Sequence, residues 1–494
     1  MMLWTLCVLL GAAPSEAQVL KVVQDDFERA GRATPLTDRA LGQAARQLAE
    51  RAITQGVEDA ASLLRVTAAV SKNGGWDPNP VAVVLRGDPA QLLATLKANP
   101  LSREPVSLLG IGVAERDERG ALAILLARRK ADLAPFPHAF PSPPPAPQRL
   151  CAQLREPLTR AEVFVTRPRG DVERLPTTAT GAASCASITF STLGRHTVEL
   201  LATGPAGPEV AALFFVDVGA VAQSEEGLSL AEPKAPAGAR AELLGRINAL
   251  RAQLGAASLS ADGALDTVAQ AWAERLASEN FFAHVAPDGS DLKARLRAAG
   301  YRFTAAGENL GLSSGPLAAH FGIEHSPGHR RNLLEKDHQR LGVGLARRAD
   351  GLTVLVEVLA RPAEADSAAA ADPLAAVYEA IHAERRRRHL PPLVPSPVLE
   401  ALAQQHARVA WEQRTPKAQL PGRRRLHDQV FEAVEEAKTV SVDIFIAESP
   451  RLTIDSKSLA SPSTSMVGVG IVRGAPTGSG PASYWIVVIY AGAR

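Results

Sequence analysis

EHSPGHRRNLL (324–334), followed seven residues later by LGVGLA (341–346), is the stretch on which the reading of this chain turns. Ser326 before Pro327 is a good N-cap and first-turn pair for a short helix. Gly342-Val343-Gly344 then opens a strand. Upstream lie GENL (307–310), the short helix RLRAAGY (295–301) stopped by glycine, the turn PDGS (287–290) and FFAH (281–284). Before these, Asp262 can cap a helix whose buried stripe is Leu265, Val268, Trp272 and Leu276. Residues 241–254 form an amphipathic helix with Leu243, Ile247, Leu250 and Leu254 on one face. Downstream, Leu352–Ala360 closes a hairpin that turns at Asp350-Gly351. Helices first and an antiparallel hairpin last predict an α+β module.

A chain of 494 residues exceeds one hydrophobic core and implies three or four domains. Its 46% hydrophobic and 21% charged residues are ordinary for a globular protein, which argues against gross disorder. Lys+Arg at 54 against Asp+Glu at 52 leaves no basic surplus that would point to nucleic acid. The excess of arginine over lysine and the abundant alanine suggest a GC-rich bacterial genome. MMLWTLCVLLGAAPSEAQ reads as an export signal over residues 1–17, although it lacks a positive n-region. Leu3–Ala13 is apolar but too short to span a bilayer, and Ser15 and Ala17 suit cleavage before Gln18. No later segment reads as transmembrane, so an integral membrane protein is not expected. Cys7 would leave with the signal. Cys151 and Cys185 in an exported chain then point to a disulfide, with two free buried thiols as the alternative.

Proline-rich PFPHAFPSPPPAP marks a linker at 135–148, and further breaks fall at Glu232–Gly238 and Pro362–Pro373. Residues 149–222 read as short strands (AEVFVT at 161–166, Ser187–Phe190, His196–Leu201, VAALFFVDV at 210–218). They predict a small antiparallel β-sandwich, immunoglobulin-like in the loose sense, with no site of its own. The pieces 18–134, 238–362 and 374–494 share a pattern. Each has a helix with a leucine and two alanines four apart: Leu41, Ala45, Ala49; Leu265, Ala269, Ala273; Leu399, Ala403, Ala407. Each later has alternating glycines, at Gly110 and Gly112, Gly342 and Gly344, Gly468 and Gly470, and then an apolar strand. This reads as a diverged internal repeat, the alternative being chance similarity of alanine-rich helices. The outer copies read as inert. Neither has a GEN, and the positions matching His284 are Ala60 and Ala418, while those matching His329 are Lys97 and Asp455. The runs Arg385–Arg388 and Arg423–Arg425 read as solvated helix faces, with binding to anionic lipid or cell-wall polymer as the alternative.

In order and spacing over 238–362, the motifs INALRAQLG (247–255), FFAH, PDGS, AAGY (298–301) before GEN, and HSPGHRRNLL running into LGVGLA resemble the CAP superfamily. That group holds cysteine-rich secretory proteins, antigen 5, pathogenesis-related 1 and bacterial SCP-like relatives. The resemblance implies a CAP α-β-α sandwich, the flanking copies being degenerate CAP-like α+β modules. It also implies a cleft lined by two histidines and two glutamates that can hold a divalent cation. Carried over by motif, these are His284, Glu308 and His329, while the second glutamate position falls on Ser326. Glu324, two residues away, is a possible substitute, and Ile323 replaces the usual tryptophan. Two imidazoles and one carboxylate could hold Zn²⁺ with an open fourth position. The resemblance implies weak binding of Zn²⁺ or Ca²⁺ at His284, Glu308 and His329, and the missing carboxylate should weaken it further. A metal-free hydrogen-bonded Glu–His network is the alternative. His320, His325 and His338 read as helix-end or surface residues, with His338 exposed in a loop, the alternative being that they add ligands to the cleft.

Three functions are compatible with this reading. The first is a secreted, periplasmic or extracellular binding protein that takes a lipid, a glycan or another envelope component. The second is a metal-assisted hydrolase using the same cleft, with Glu308 as base. The third is a structural envelope spacer. The fold alone does not choose among them.

Overall fold

The computed structural model describes residues 13–102, 106–221, 231–233, 235–363, 371–415, 425–447, 449–451, 458–474 and 483–492. Most of the expected signal peptide, together with Ala418, Arg423, Arg424 and Asp455, lies outside the described residues. The chain divides into two compact units, Met1–Leu296 with Ala305–Arg361, and Arg297–Thr304 with Pro362–Arg494. No helix among the described residues is long and apolar enough to cross a membrane.

The first unit begins with α1 (Glu16–Arg29), whose Ser15 and Gln18 form a capping box and whose Val19, Val23 and Phe27 are buried. The expected cleavage point before Gln18 thus falls in the first turn of a packed helix. A four-stranded sheet follows, in the order β1 (Leu36–Thr37), β3 (Leu108–Arg116), β4 (Arg119–Ala127), β2 (Val81–Gly87). β1 runs parallel to β3, and the other pairs are antiparallel. Helix α2 (Arg39–Gln55) lies on β3 at backbone distance. A Cβ on Gly110 would stand 2.3 Å from the carbonyl carbon of Leu41, and one on Gly112 would stand 2.2 Å from that of Ala45. The alternating glycines and the small residues four apart are therefore two halves of one contact, which only hydrogen at Cα permits.

Next come two sheets that share one core. The first has the order β10 (Thr178–Thr180), β11 (Ala183–Ile188), β7 (Gln148–Leu154), β5 (Ala131–Leu133). The second has the order β6 (Ala139–Phe140), β13 (Gly207–Val218), β12 (Gly194–Gly204), β8 (Thr159–Thr166), β9 (Val172–Leu175). Leu150, Ala152 and Ile188 of one meet Val163, Val165, Val198, Leu200, Phe214 and Val216 of the other. Cys151 and Cys185 pair directly across β7 and β11 and form a disulfide. The stretch expected as a linker is laid onto this core. Ala139–Phe140 pairs parallel to Asp217–Val218, and the Phe140 ring lies 5.5 Å from that of Phe190. The phenylalanines set between prolines anchor it, and extended proline-rich backbone suits a sheet edge.

The third part of the unit has a sheet in the order β14 (Ser260–Ala261), β16 (Arg340–Arg347), β17 (Thr353–Pro362), β15 (Phe303–Ser313). On one face lies α3 (Gly263–Ser278): a Cβ on Gly342 or Gly344 would come within 2.2 Å of the Leu265 or Ala269 carbonyl carbon. On the other face, Leu341, Val343, Leu355 and Leu359 pack with Leu243, Ile247 and Leu250 of the helix Pro236–Gln253. That face is completed by α4 (Pro316–His325) and α5 (Pro327–Leu334). Period-two alternation along β16 thus sends glycines to one helix layer and aliphatic side chains to the other.

The second unit has its own sheet: Val394–Pro395, Met466–Gly474, Ser483–Gly492, Thr439–Ala447, the first pair parallel and the others antiparallel. The helix Pro397–Glu412 lies on Met466–Gly474, where a Cβ on Gly468 or Gly470 would meet the Leu399 or Ala403 carbonyl carbon at 2.3 and 2.1 Å. The same strand order and the same glycine contact therefore occur in three sheets of the chain. Arg385 is not a solvated member of a basic run. It is buried and donates to the carbonyls of Pro391, Leu459, Ser461 and Thr464. Its neighbours Arg387 and Arg388 both pair with Glu384.

Candidate functional site: the His284–His329 cleft

His284 lies just beyond α3, in the turn that leads to PDGS, and its Nδ1 is 2.9 Å from Oε1 of Glu308 on β15. The other oxygen of Glu308 accepts from the Arg295 guanidinium at 2.6 Å. Arg295 lies on the helix Leu292–Ala298, is 3.8 Å from the Trp272 ring centroid, and also donates to the His284 carbonyl at 3.2 Å. Glu308 is buried, so this pairing compensates a carboxylate removed from water. The result is a chain His284–Glu308–Arg295 in which both carboxylate oxygens are engaged.

His329 stands in the first turn of α5, its Nδ1 2.7 Å from Ser326 Oγ. Ser326 occupies the N-cap position as expected, but its side chain makes no capping bond to the helix. Instead its hydroxyl donates in a short hydrogen bond to Oε2 of Glu199, and Oε1 of Glu199 accepts from the Gly328 N–H at 2.7 Å. Glu199, in the middle of β12, therefore caps α5 in place of Ser326. It is fully buried, and burial pushes its carboxyl up to about 7 against the lowering effect of the two donors. Desolvation, helped by nearby His284, pulls His329 down to about 4. When Glu199 is ionised and holds the only proton of Ser326, His329 must carry its own proton on Nδ1.

The same β12–β13 hairpin reaches the other histidine. The Ala206 carbonyl accepts from the N–H groups of His284 and Val285, both at 3.1 Å. Gly207, at φ +103°, lies so close that a Cβ there would be 2.9 Å from the His284 Cβ. Arg330 donates to the Gly170 carbonyl at 2.9 Å, and Arg331 lies over Phe164.

A second buried polar network lies behind the cleft. His320 Nδ1 is 2.7 Å from Glu357 Oε1, and Asn309 donates to Glu357 Oε2 and to the His329 carbonyl. Asn332 donates to Asn309 Oδ1 at 3.0 Å. His320, expected near the surface, is buried. Burial lowers its basicity, but Glu357 more than offsets this and raises it. His325 is half-buried, with Nδ1 2.8 Å from the Phe321 carbonyl. His338, expected to be exposed, is buried with Nδ1 3.1 Å from the Asn332 carbonyl, and burial lowers its basicity. Glu324, the suggested substitute for the missing glutamate, turns instead to Arg330 at 3.3 Å. Glu199 and Glu357 were not picked out from the sequence. A lone glutamate inside the apolar run TVLVEVLA was the available signal for Glu357.

Among the described residues, no three His, Cys, Asp or Glu side chains are grouped to hold a metal ion. With one oxygen of Glu308 on His284 and the other on Arg295, a metal ion there would compete with the Arg295 guanidinium for this carboxylate. Ser326 does not fit the role of a serine nucleophile. A hydrolytic relay places histidine between serine and acid, whereas here serine lies between acid and histidine.

Helices on both faces of a mixed sheet, with the His284–Glu308 pair on its edge strand β15, make this an α+β domain. The family model of the cysteine-rich secretory protein family (CAP) matches residues 244–358, so the chain carries a CAP domain there. An uncharacterized membrane protein of Bacillus subtilis strain 168, YlbC, is 36% identical over 109 residues, which is 22% of this chain and 31% of that protein. The chain thus spans under a third of that relative's length. Among solved structures, an outer surface protein from Borrelia burgdorferi is 21% identical, with 26% of this chain and 94% of that one covered and a TM-score of 0.24. An extracellular protein with an SCP domain from Bacillus anthracis strain Ames is 17% identical, with 44% and 82% covered and a TM-score of 0.24.

Proposed function

We propose that this is a secreted bacterial CAP-domain protein that acts by binding, not by catalysis, in the cell envelope or extracellular space. Its working surface is the cleft of His284, Glu308, Ser326 and His329. The observation that carries this reading is the use made of the cleft's polar groups. Glu308 is clamped between His284 and Arg295, and the acid–serine–histidine order leaves Ser326 without a base–acid relay. Neither chain presents an activated nucleophile, which weighs against the hydrolase alternative. The two outer α+β modules are degenerate copies that keep the scaffold. The recurrent strand order and glycine contacts support this, as do Ala60 and Lys97 at the positions matching His284 and His329.

The test is co-sedimentation of the full chain with purified peptidoglycan and, separately, with phosphatidylglycerol vesicles. His284→Ala and Glu308→Ala serve as variants, beside an assay for ester and peptide hydrolysis. Saturable binding to one surface, weakened in the variants and without turnover, is expected. Turnover that disappears in a folded His284→Ala or Glu308→Ala protein would sink the reading, as would failure to bind either surface.

A further inference from the structure

We propose that the cleft is a two-module site whose second carboxylate is Glu199, delivered by strand β12 of the two-sheet module and not by the CAP domain itself. This rests on reading the cleft as the working surface. By its likeness to CAP proteins, position 326 should carry that carboxylate. Serine is too short to bring one, and the carboxylate found on its hydroxyl comes from 127 residues upstream.

The placement of Glu199 is hard to account for as packing alone. Val198, Leu200 and Ala202 point into the core between the two sheets, so alternation sends Glu199 to the opposite face of the strand. That face would be open to water in an isolated module, but here α5 covers it and Glu199 is wholly buried. Burying a carboxylate without a cation is costly, and an apolar residue would serve a plain interface better. Both Glu199 oxygens are instead matched to donors of the cleft, the Ser326 hydroxyl and the Gly328 N–H. The far end of the same hairpin holds the other histidine segment through Ala206 and Gly207. One hairpin therefore fixes both His284 and His329. Glu199 is a positioning residue that acts on His329 through Ser326, and the module expected to be a siteless spacer is part of the site.

The test relocates the carboxylate in the full chain, using Glu199→Ala, Ser326→Glu and the double variant. Thermal melting and the ¹⁵N signals of the histidine imidazoles are the readouts. Each single variant should melt several degrees lower, because one strands two buried donors and the other presses a second carboxylate against Glu199. The double variant should recover most of that loss, and the His329 signals displaced by Glu199→Ala should return towards their original positions. A double variant that loses as much as the two singles together, or His329 signals unmoved by Glu199→Ala, would overturn the proposal. Should Glu199→Ala fail to fold, the near-isosteric Glu199→Gln replaces it. Unchanged His329 signals in that folded protein count equally against the proposal. Surface binding is read separately by co-sedimentation, so carboxylate rescue without binding refutes the function and leaves the two-module site standing. Binding without rescue does the reverse.

Discussion

Glu199 and Ser326, 127 residues apart in sequence, share a buried hydrogen bond that joins the two-sheet module to the first turn of a CAP-domain helix. Burial outweighs the two hydrogen bonds from Ser326 and Gly328 and carries the Glu199 carboxyl from 4.5 to about 7. The folded state therefore holds this proton through a pH range in which the unfolded chain has released it.

That difference gives a signed pH dependence. Between about pH 4.5 and 7 the folded form binds more protons at Glu199 than the unfolded form. Stability from this group is thus present below 4.5 and is lost as pH rises through 7. His329 works the other way: lowered from 6.5 to about 4, it loses stability as pH falls through that interval. Replacing Glu199 by glutamine should remove only the first contribution. Urea unfolding of the first unit, run in steps from pH 4.5 to 7.5, should show the wild type losing a few kcal/mol relative to Glu199→Gln as pH rises. Parallel curves for the two proteins would contradict the assignment.

The glycine contacts make a second prediction with its own control. A methyl group on Gly344 would fall 2.1 Å from the Ala269 carbonyl oxygen, so Gly344→Ala must push α3 off the sheet. A loss of at least about 3 kcal/mol, or failure to fold, is expected, since helix backbone cannot yield as a side-chain end can. Gly470→Ala should do the same to the second unit, where the Cβ would lie 2.1 Å from the Ala403 carbonyl carbon. Gly245, on an open helix surface with nothing within 4 Å, should instead gain about 0.5–1 kcal/mol on replacement by alanine. Thermal melting of the three variants decides the matter, and a tolerated Gly344→Ala would count against the packing.

These contacts also explain which parts were legible in the sequence. Leucine and alanine four apart, and glycines two apart, are local patterns, and each is one side of a contact that recurs in all three sheets. The motifs that named His284, Glu308, Ser326 and His329 likewise lie within one domain, and the structure brings His284 to Glu308 and His329 to Ser326. Glu199 was not legible because in HTVELLATG it occupies an outward-facing alternate position, where glutamate is ordinary. Only the docking of another module turns that face into an interior. His338 and Arg385 were misread for a related reason. Both stand beside charged residues at helix or loop ends, but Arg385 is drawn inward by carbonyls that arrive from elsewhere in the chain, and the His338 carbonyl is reached by the Arg251 side chain from 87 residues upstream. A basic run, read as a whole, hides the one member that turns inward.

That inward arginine has a counterpart. Arg251 is wholly buried and donates to the carbonyls of Ala257, Leu333, Glu335 and His338, much as Arg385 does in the second unit. A guanidinium can satisfy carbonyls spread around its plane, whereas an ammonium is a single point with different geometry. Arg251→Lys and Arg385→Lys should each cost on the order of 3 kcal/mol by leaving buried acceptors without donors. Arg387→Lys, at an exposed arginine whose partner Glu384 is also held by Arg388, should change stability by less than about 1 kcal/mol. Equal effects at Arg385 and Arg387, measured by chemical denaturation, would mean that the carbonyl cluster contributes little.

The metal question turns on Arg295. A cation held by His284, Glu308 and His329 together must take an oxygen of Glu308, yet one oxygen faces His284 Nδ1 and the other holds a guanidinium stacked on Trp272. Displacing Arg295 would strand its positive charge beside the incoming one, a repulsion that water screens poorly at a buried carboxylate. Protonation of His329 is not the obstacle, since that imidazole stays neutral down to about pH 4. Calorimetric titration of the full chain with Zn²⁺ should therefore give a dissociation constant weaker than about 1 µM, that is, less than roughly 8 kcal/mol of binding. Arg295→Met, which removes the competing charge while keeping a side chain over Trp272, should tighten it by at least about tenfold. Sub-micromolar zinc binding by the unaltered chain that vanishes in His284→Ala/His329→Ala would show that the cleft reorganises around a metal despite Arg295. Unchanged zinc affinity in Arg295→Met would show that the guanidinium is not what opposes it.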